Sequence, residues 1–109
     1  MSEVVVVALF TTKEGSEQKA EALVRTIIAP THAEDGCITF ALHRDLDDPR
    51  RLVLVERWAS REALDRHLGS GHLATFRAAA PEVMAGPAQI HVMEALPEGD
   101  AAKGRLASS

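Results

Sequence analysis

The hydrophobic pattern changes period several times along the chain, and each change marks an element. Val4-Val5-Val6-Val7-Ala8-Leu9-Phe10 is apolar at every position, which predicts a central strand buried on both faces. Lys13-Glu14-Gly15-Ser16 breaks it, and Ser16 is placed to cap a helix whose Ala20, Leu23, Val24, Ile27 and Ile28 form one apolar stripe. Pro30 ends or kinks that helix, and Asp35-Gly36 supplies the next turn. From Cys37 to His43 a second strand alternates Ile38, Phe40 and Leu42 with Cys37, Thr39, Ala41 and His43. The turn-rich run Asp45-Leu46-Asp47-Asp48-Pro49 joins it as a hairpin to a third strand, Leu52 to Trp58. There Leu52, Leu54, Glu56 and Trp58 share one face, and Val53, Val55 and Arg57 the other. Ser60 caps a helix with Glu62 in its first turn and Ala63, Leu64, His67 and Leu68 along one side. Gly69-Ser70-Gly71 interrupts it, and a further helical piece from His72 carries Leu73, Phe76, Ala79 and Ala80 as far as Pro81. A last strand runs from Ala88 to Leu96.

This β-α-β-β-α-β order predicts an α+β, ferredoxin-like fold, a four-stranded antiparallel sheet with helices on one face. Residues 1–97 make the domain; residues 98–109 form a small, polar tail expected to be disordered or laid on a partner chain. The face away from the helices is apolar as well, through Val5, Val7, Leu9, Val53, Val55, Cys37, Ala41 and Met93. An apolar surface of that size predicts a homodimer in which two sheets pack face to face.

Composition narrows the function classes. A chain of 109 residues is one domain with a small core, and 46% hydrophobic with 26% charged residues is an ordinary globular balance. A net charge of −4 gives no electrostatic basis for binding nucleic acid or an anionic membrane. No apolar run approaches the ~20 residues that span a bilayer, and the N-terminus lacks a basic leader, so a cytoplasmic location is expected. Cys37 is the sole cysteine and has no disulfide partner within the chain. No phosphate-binding glycine motif, Cys-x-x-Cys or His-Glu-x-x-His occurs, which predicts no cofactor and no metal. A His67/His72 metal pair lacks helical spacing and an evident third ligand.

The chemistry gathers between Leu52 and His67, where one short segment delivers an acid, a flat aromatic and an imidazole to the gap between sheet and helix. His67 is the expected base, because an imidazole near its ordinary pKa of ~6.5 exchanges protons at neutral pH. Trp58, Phe40 and Phe76 are expected walls for a flat ligand, with His72 as a further contact. Glu56 on a covered face needs a partner, either an ion pair or a hydrogen bond to His67. The plain alternatives are core packing for the aromatics and a structural, backbone-bonded His67.

Gly36-Cys37 with the alternation after it, Asp48-Pro49, Glu56-Arg57-Trp58-Ala59-Ser60 leading to Ala63-Leu64, His67, and Ser70-Gly71-His72 before Phe76 together resemble the antibiotic biosynthesis monooxygenase family. The resemblance runs from about Val4 to Leu96 and implies a dimeric α+β barrel. Members and relatives include cofactor-free oxygenases of quinols or polycyclic phenols, haem-degrading enzymes and an isomerase of a phosphorylated signalling sugar. The haem-degrading relatives use an asparagine on the first strand, a tryptophan on the second helix and a histidine near its end. Here those places resemble Val7, His67 and Arg77, which argues against haem. The resemblance therefore implies a cofactor-independent monooxygenase taking a small aromatic substrate and dioxygen. An isomerase of a small hydroxy-carbonyl compound, a haem-degrading enzyme and a non-catalytic dimeric ligand-binding domain are the alternatives.

Overall fold

A computed structural model describes residues 2–106. Strand β1 is Val4–Thr11, followed by helix α1, Glu17–Arg25, and the short helix α2, Ile28–His32. Strands β2, Cys37–Arg44, and β3, Arg51–Trp58, form the hairpin. Helices α3, Arg61–Leu68, and α4, Gly71–Ala79, come next, then a 3₁₀ turn over Ala80–Glu82 and strand β4, Gln89–Met93. The sheet is antiparallel in the order β2-β3-β1-β4, so β1 and β3 are central, as a ferredoxin-like arrangement requires. Among the described residues no helix is long and apolar enough to cross a membrane.

Alternation along the central strands decides which side chains meet the helices. Val6, Ala8 and Phe10 of β1 and Leu52, Leu54, Glu56 and Trp58 of β3 are buried with Ala20, Val24, Ile27, Ala63, Leu64, Leu73 and Phe76 from the helices. On the opposite face Val5, Val7, Leu9, Val53 and Val55 are only half-buried, and Met93 is 40% exposed. Arg57, on that same face, is buried within its own chain, where its guanidinium grips the Glu3 carboxylate at 2.7 Å. Residues 94–106 form coil and turns, and Lys103 to Leu106 return to border a shallow hollow with Val5, Arg57 and Met93.

Three local features depart from the sequence reading. The first helix does not run through to Pro30: α1 stops at Arg25 and α2 restarts at Ile28. Pro30 then sits in the first turn of α2, where its missing N–H would have no intrahelical partner anyway. Ser16 occupies the N-cap position of α1 without a side-chain cap bond. Cys37 faces the helices rather than the open side, because a bulge between Cys37 and Thr39 shifts the phase of β2. The bulge leaves Ile38 41% exposed and sets Cys37 opposite Trp58, while Phe40 points into the core.

The chain between the 3₁₀ turn and β4 is stitched to the end of β1. Lys13 N–H donates to the Val83 carbonyl at 2.8 Å, Ala85 N–H donates to the Thr11 carbonyl at 2.7 Å, and Thr12 and Met84 form an isolated bridge.

Candidate functional site

A hollow of about 650 Å³ lies between the sheet and the helices. Its floor is Val6, Ala8 and Phe10 of β1, Leu54 and Glu56 of β3, and Phe40 of β2. Its roof includes Leu64 and His67 of α3 and Phe76 and Arg77 of α4, and Pro81 and Met84 to Ala88 border its rim. The lining is largely aliphatic and aromatic, with Phe10 and Phe76 meeting edge to face at 5.8 Å. A pocket of this size and character suits a small molecule with few polar groups.

Glu56 enters this apolar floor because the pleat of β3 leaves it no other direction. It pairs in register with Val6 on one side and Phe40 on the other, and its residue is 4% exposed. Burial pushes its carboxyl up from 4.5 to about 7; the Trp58 indole N–H donated to its Oε1 at 2.9 Å opposes the rise, and the charge of Glu34 adds to it. Glu56 therefore bonds Trp58 and not His67. Trp58 is itself fully buried, its ring tilted 35° against the His67 ring with centroids 4.7 Å apart. It backs the imidazole from behind and does not border the hollow, whereas Phe40 and Phe76 do.

His67 lies in the last turn of α3 and is 3% exposed. Its Nδ1 is 2.7 Å from Glu34 Oε2, a contact that fixes one ring nitrogen and leaves Nε2 for other chemistry. Burial lowers its pKa below the ordinary imidazole value, outweighing the upward pull of Glu34, and His72 and Arg77 add to the lowering. The shift favours the neutral ring, the form that accepts a proton. His72, in the first turn of α4, places its Nε2 2.9 Å from the same Glu34 oxygen and 3.3 Å from Thr31 Oγ1 and Ser70 Oγ. It does not reach the hollow.

Glu34 is the site residue that sequence reasoning missed. It was legible only as part of a turn, Glu34-Asp35-Gly36, well separated in sequence from both histidines. The turn reaches α3 because Gly36 has φ +87° and because its α-carbon approaches that helix so closely that a Cβ there would lie 2.5 Å from the Ala63 Cβ. Ala59 N–H donating to the Gly36 carbonyl at 2.8 Å ties the turn to the end of β3. Cys37 lies nearby, but burial and then the charges of Glu34 and Glu56 push its thiol up to about 11. It remains a thiol at neutral pH and is no nucleophile.

Comparison with known proteins places this geometry. The sequence profile named "Antibiotic biosynthesis monooxygenase" matches residues 3–79. A Mycobacterium tuberculosis protein with a provisional monooxygenase name, Rv0793, is 39% identical over 100 residues, covering 92% of this chain and 98% of its own. Its solved structure superposes with a TM-score of 0.83, covering 91% of this chain and all of that one. The crystal structure of PA3566 from Pseudomonas aeruginosa, 26% identical, superposes with a TM-score of 0.82 over 88% of this chain and 96% of its own. Fold and sequence agree: this chain belongs to the antibiotic biosynthesis monooxygenase family.

Proposed function

We propose that this protein is a cofactor-independent monooxygenase of a hydroquinone or polycyclic phenol, with His67 as the base. The observation that carries this reading is the buried His67 imidazole, oriented by Glu34 and bordering an apolar hollow. Dioxygen reacts slowly with closed-shell organic molecules, so without a redox group the substrate itself must supply the electrons. A phenol does so once its proton is removed. His67 takes that proton, and Phe40 and Phe76 confine the flat ring in surroundings where a positioned charge acts strongly. Dioxygen then forms a C–O bond at an activated ring carbon that carries hydrogen, and the peroxide takes back the proton held by His67 to give a hydroperoxide. Loss of the hydrogen left on that carbon as a proton, with O–O cleavage, leaves a carbonyl and one water. All four electrons come from substrate, and one oxygen atom ends in each product. Glu56, whose carboxyl burial pushes up to about 7, is placed to donate a hydrogen bond to a substrate oxygen in its protonated form.

The test is oxygen uptake with a panel of hydroquinones and anthrone-like phenols. His67→Ala is expected to lose roughly 10²–10⁴-fold in turnover with the fold retained. Turnover near that of the wild type would reject His67 as base. A second reading, isomerisation of a small hydroxy-carbonyl compound, is favoured by one observation: two proton-exchanging groups, Glu56 and His67, border one hollow. Turnover that persists under nitrogen would select it.

The same reading includes a homodimer closed through the open sheet face, supported by the half-buried Val5, Val7, Leu9, Val53 and Val55 and by exposed Met93. A stable monomer in sedimentation at micromolar concentration would overturn it.

A further inference from the structure

Glu34, His67 and His72 come from three separate elements, yet each offers one ligand atom and all three atoms lie within 4.8 Å of one another. We infer that they form a binding site for one zinc-type divalent cation, with two imidazoles and a carboxylate as protein ligands and an open fourth position. The donor set is that of open zinc sites, which take three protein ligands from histidine and carboxylate. Zinc–nitrogen and zinc–oxygen bonds of about 2.0–2.2 Å in a tetrahedron set the donors about 3.3 Å apart. The present separations are 2.7 Å from His67 Nδ1 to Glu34 Oε2 and 2.9 Å from His72 Nε2 to the same oxygen. Loading needs Glu34 to withdraw by about half an ångström and the His67 and His72 nitrogens, which lie within 4.8 Å of each other, to settle at the same ~3.3 Å spacing. The Glu34 side chain is 17% exposed and that of His72 is 24% exposed, so both have room to move and the ion has a way in, while buried His67 stays fixed.

Occupancy would change the face that His67 presents to the hollow. A neutral imidazole that gives Nδ1 to a metal carries its proton on Nε2, so the ring becomes a donor and ceases to accept a proton there. This consequence rests on the base assignment above; the site itself does not.

The experiment uses the full chain without an affinity tag, stripped with chelator and titrated with Zn²⁺ against a chromophoric chelator and by calorimetry. One ion per chain is expected. Glu34→Gln and His72→Ala should each weaken binding by at least roughly tenfold, with circular dichroism unchanged. Absence of saturable one-to-one binding, or equal affinity in both variants and the wild type, would overturn the site. Oxygen uptake measured alongside separates the two claims. Inhibition at zinc concentrations matching the measured affinity supports both, whereas saturable binding without inhibition keeps the site and rejects His67 as base.

Discussion

Replacing Glu56 by glutamine should make the protein more stable at alkaline pH and leave it little changed at acid pH. In the folded chain this carboxyl titrates at about 7 instead of 4.5, because burial between Val6 and Phe40 disfavours its charged form. The folded state thus binds the proton more tightly than the unfolded chain does. For an acid raised in this way, the stabilising contribution is complete below the unfolded value of 4.5, declines as pH rises, and is gone above about 7. At 1.36 kcal/mol per pKa unit, the difference between the two limits is about 3 kcal/mol. Glutamine keeps a carbonyl oxygen for the Trp58 indole N–H and carries no charge to desolvate. Urea denaturation of both proteins at pH 5 and pH 8.5 measures the effect, and the titration of every other group cancels in the comparison. The expected result is a gain for Glu56→Gln that is larger by about 2.5 kcal/mol at pH 8.5 than at pH 5, since pH 5 already lies a little above the unfolded value. The same gain at both pH values, or none, would show that Glu56 is charged in the folded protein near neutrality and that the hollow is wetter than its lining implies.

Gly36→Ala should cost about 2–3 kcal/mol or more in chemical denaturation, from the positive φ and the collision with Ala63. Adding Ala63→Gly should recover part of that loss, and an effect below about 1 kcal/mol would refute the close approach. Ala8→Leu, on the floor of the hollow, should raise KM at least roughly tenfold while the melting temperature stays level or rises, as filling a void does. Ser70→Ala should lower stability by about 1 kcal/mol in urea denaturation, because the Ser70 side chain caps α4 and also donates to the His67 carbonyl at 2.7 Å.

The fold was legible because its signals are local. Period-two alternation placed Leu52, Leu54, Glu56 and Trp58 on the helix side, and Ser60 does cap α3 through the Ala63 N–H. The bulge at Cys37 was not legible, since an extra residue in one strand has no signature in the composition of that strand. The site divides in the same way. His67 and Glu56 could be placed against one gap from a single strand–helix unit, and both border the hollow. What holds each of them was hidden. The partner of His67 is Glu34, brought in by a turn whose reach depends on Gly36 resting on Ala63, a contact between distant parts of the chain. The partner of Glu56 is Trp58, two residues on along the same strand face, so the indole is spent on the carboxyl and backs the imidazole instead of forming a wall.

The stitching of residues 83–85 to the end of β1 has a consequence for what can enter. A flap free at one end could swing aside for guests of many shapes. This one is fastened midway by the bonds of Lys13 and Ala85, and it is stiffened by Pro81 before them and Pro87 after. This border of the hollow is therefore held against the end of β1 and is not free to swing, so any guest meets a wall of set shape on that side.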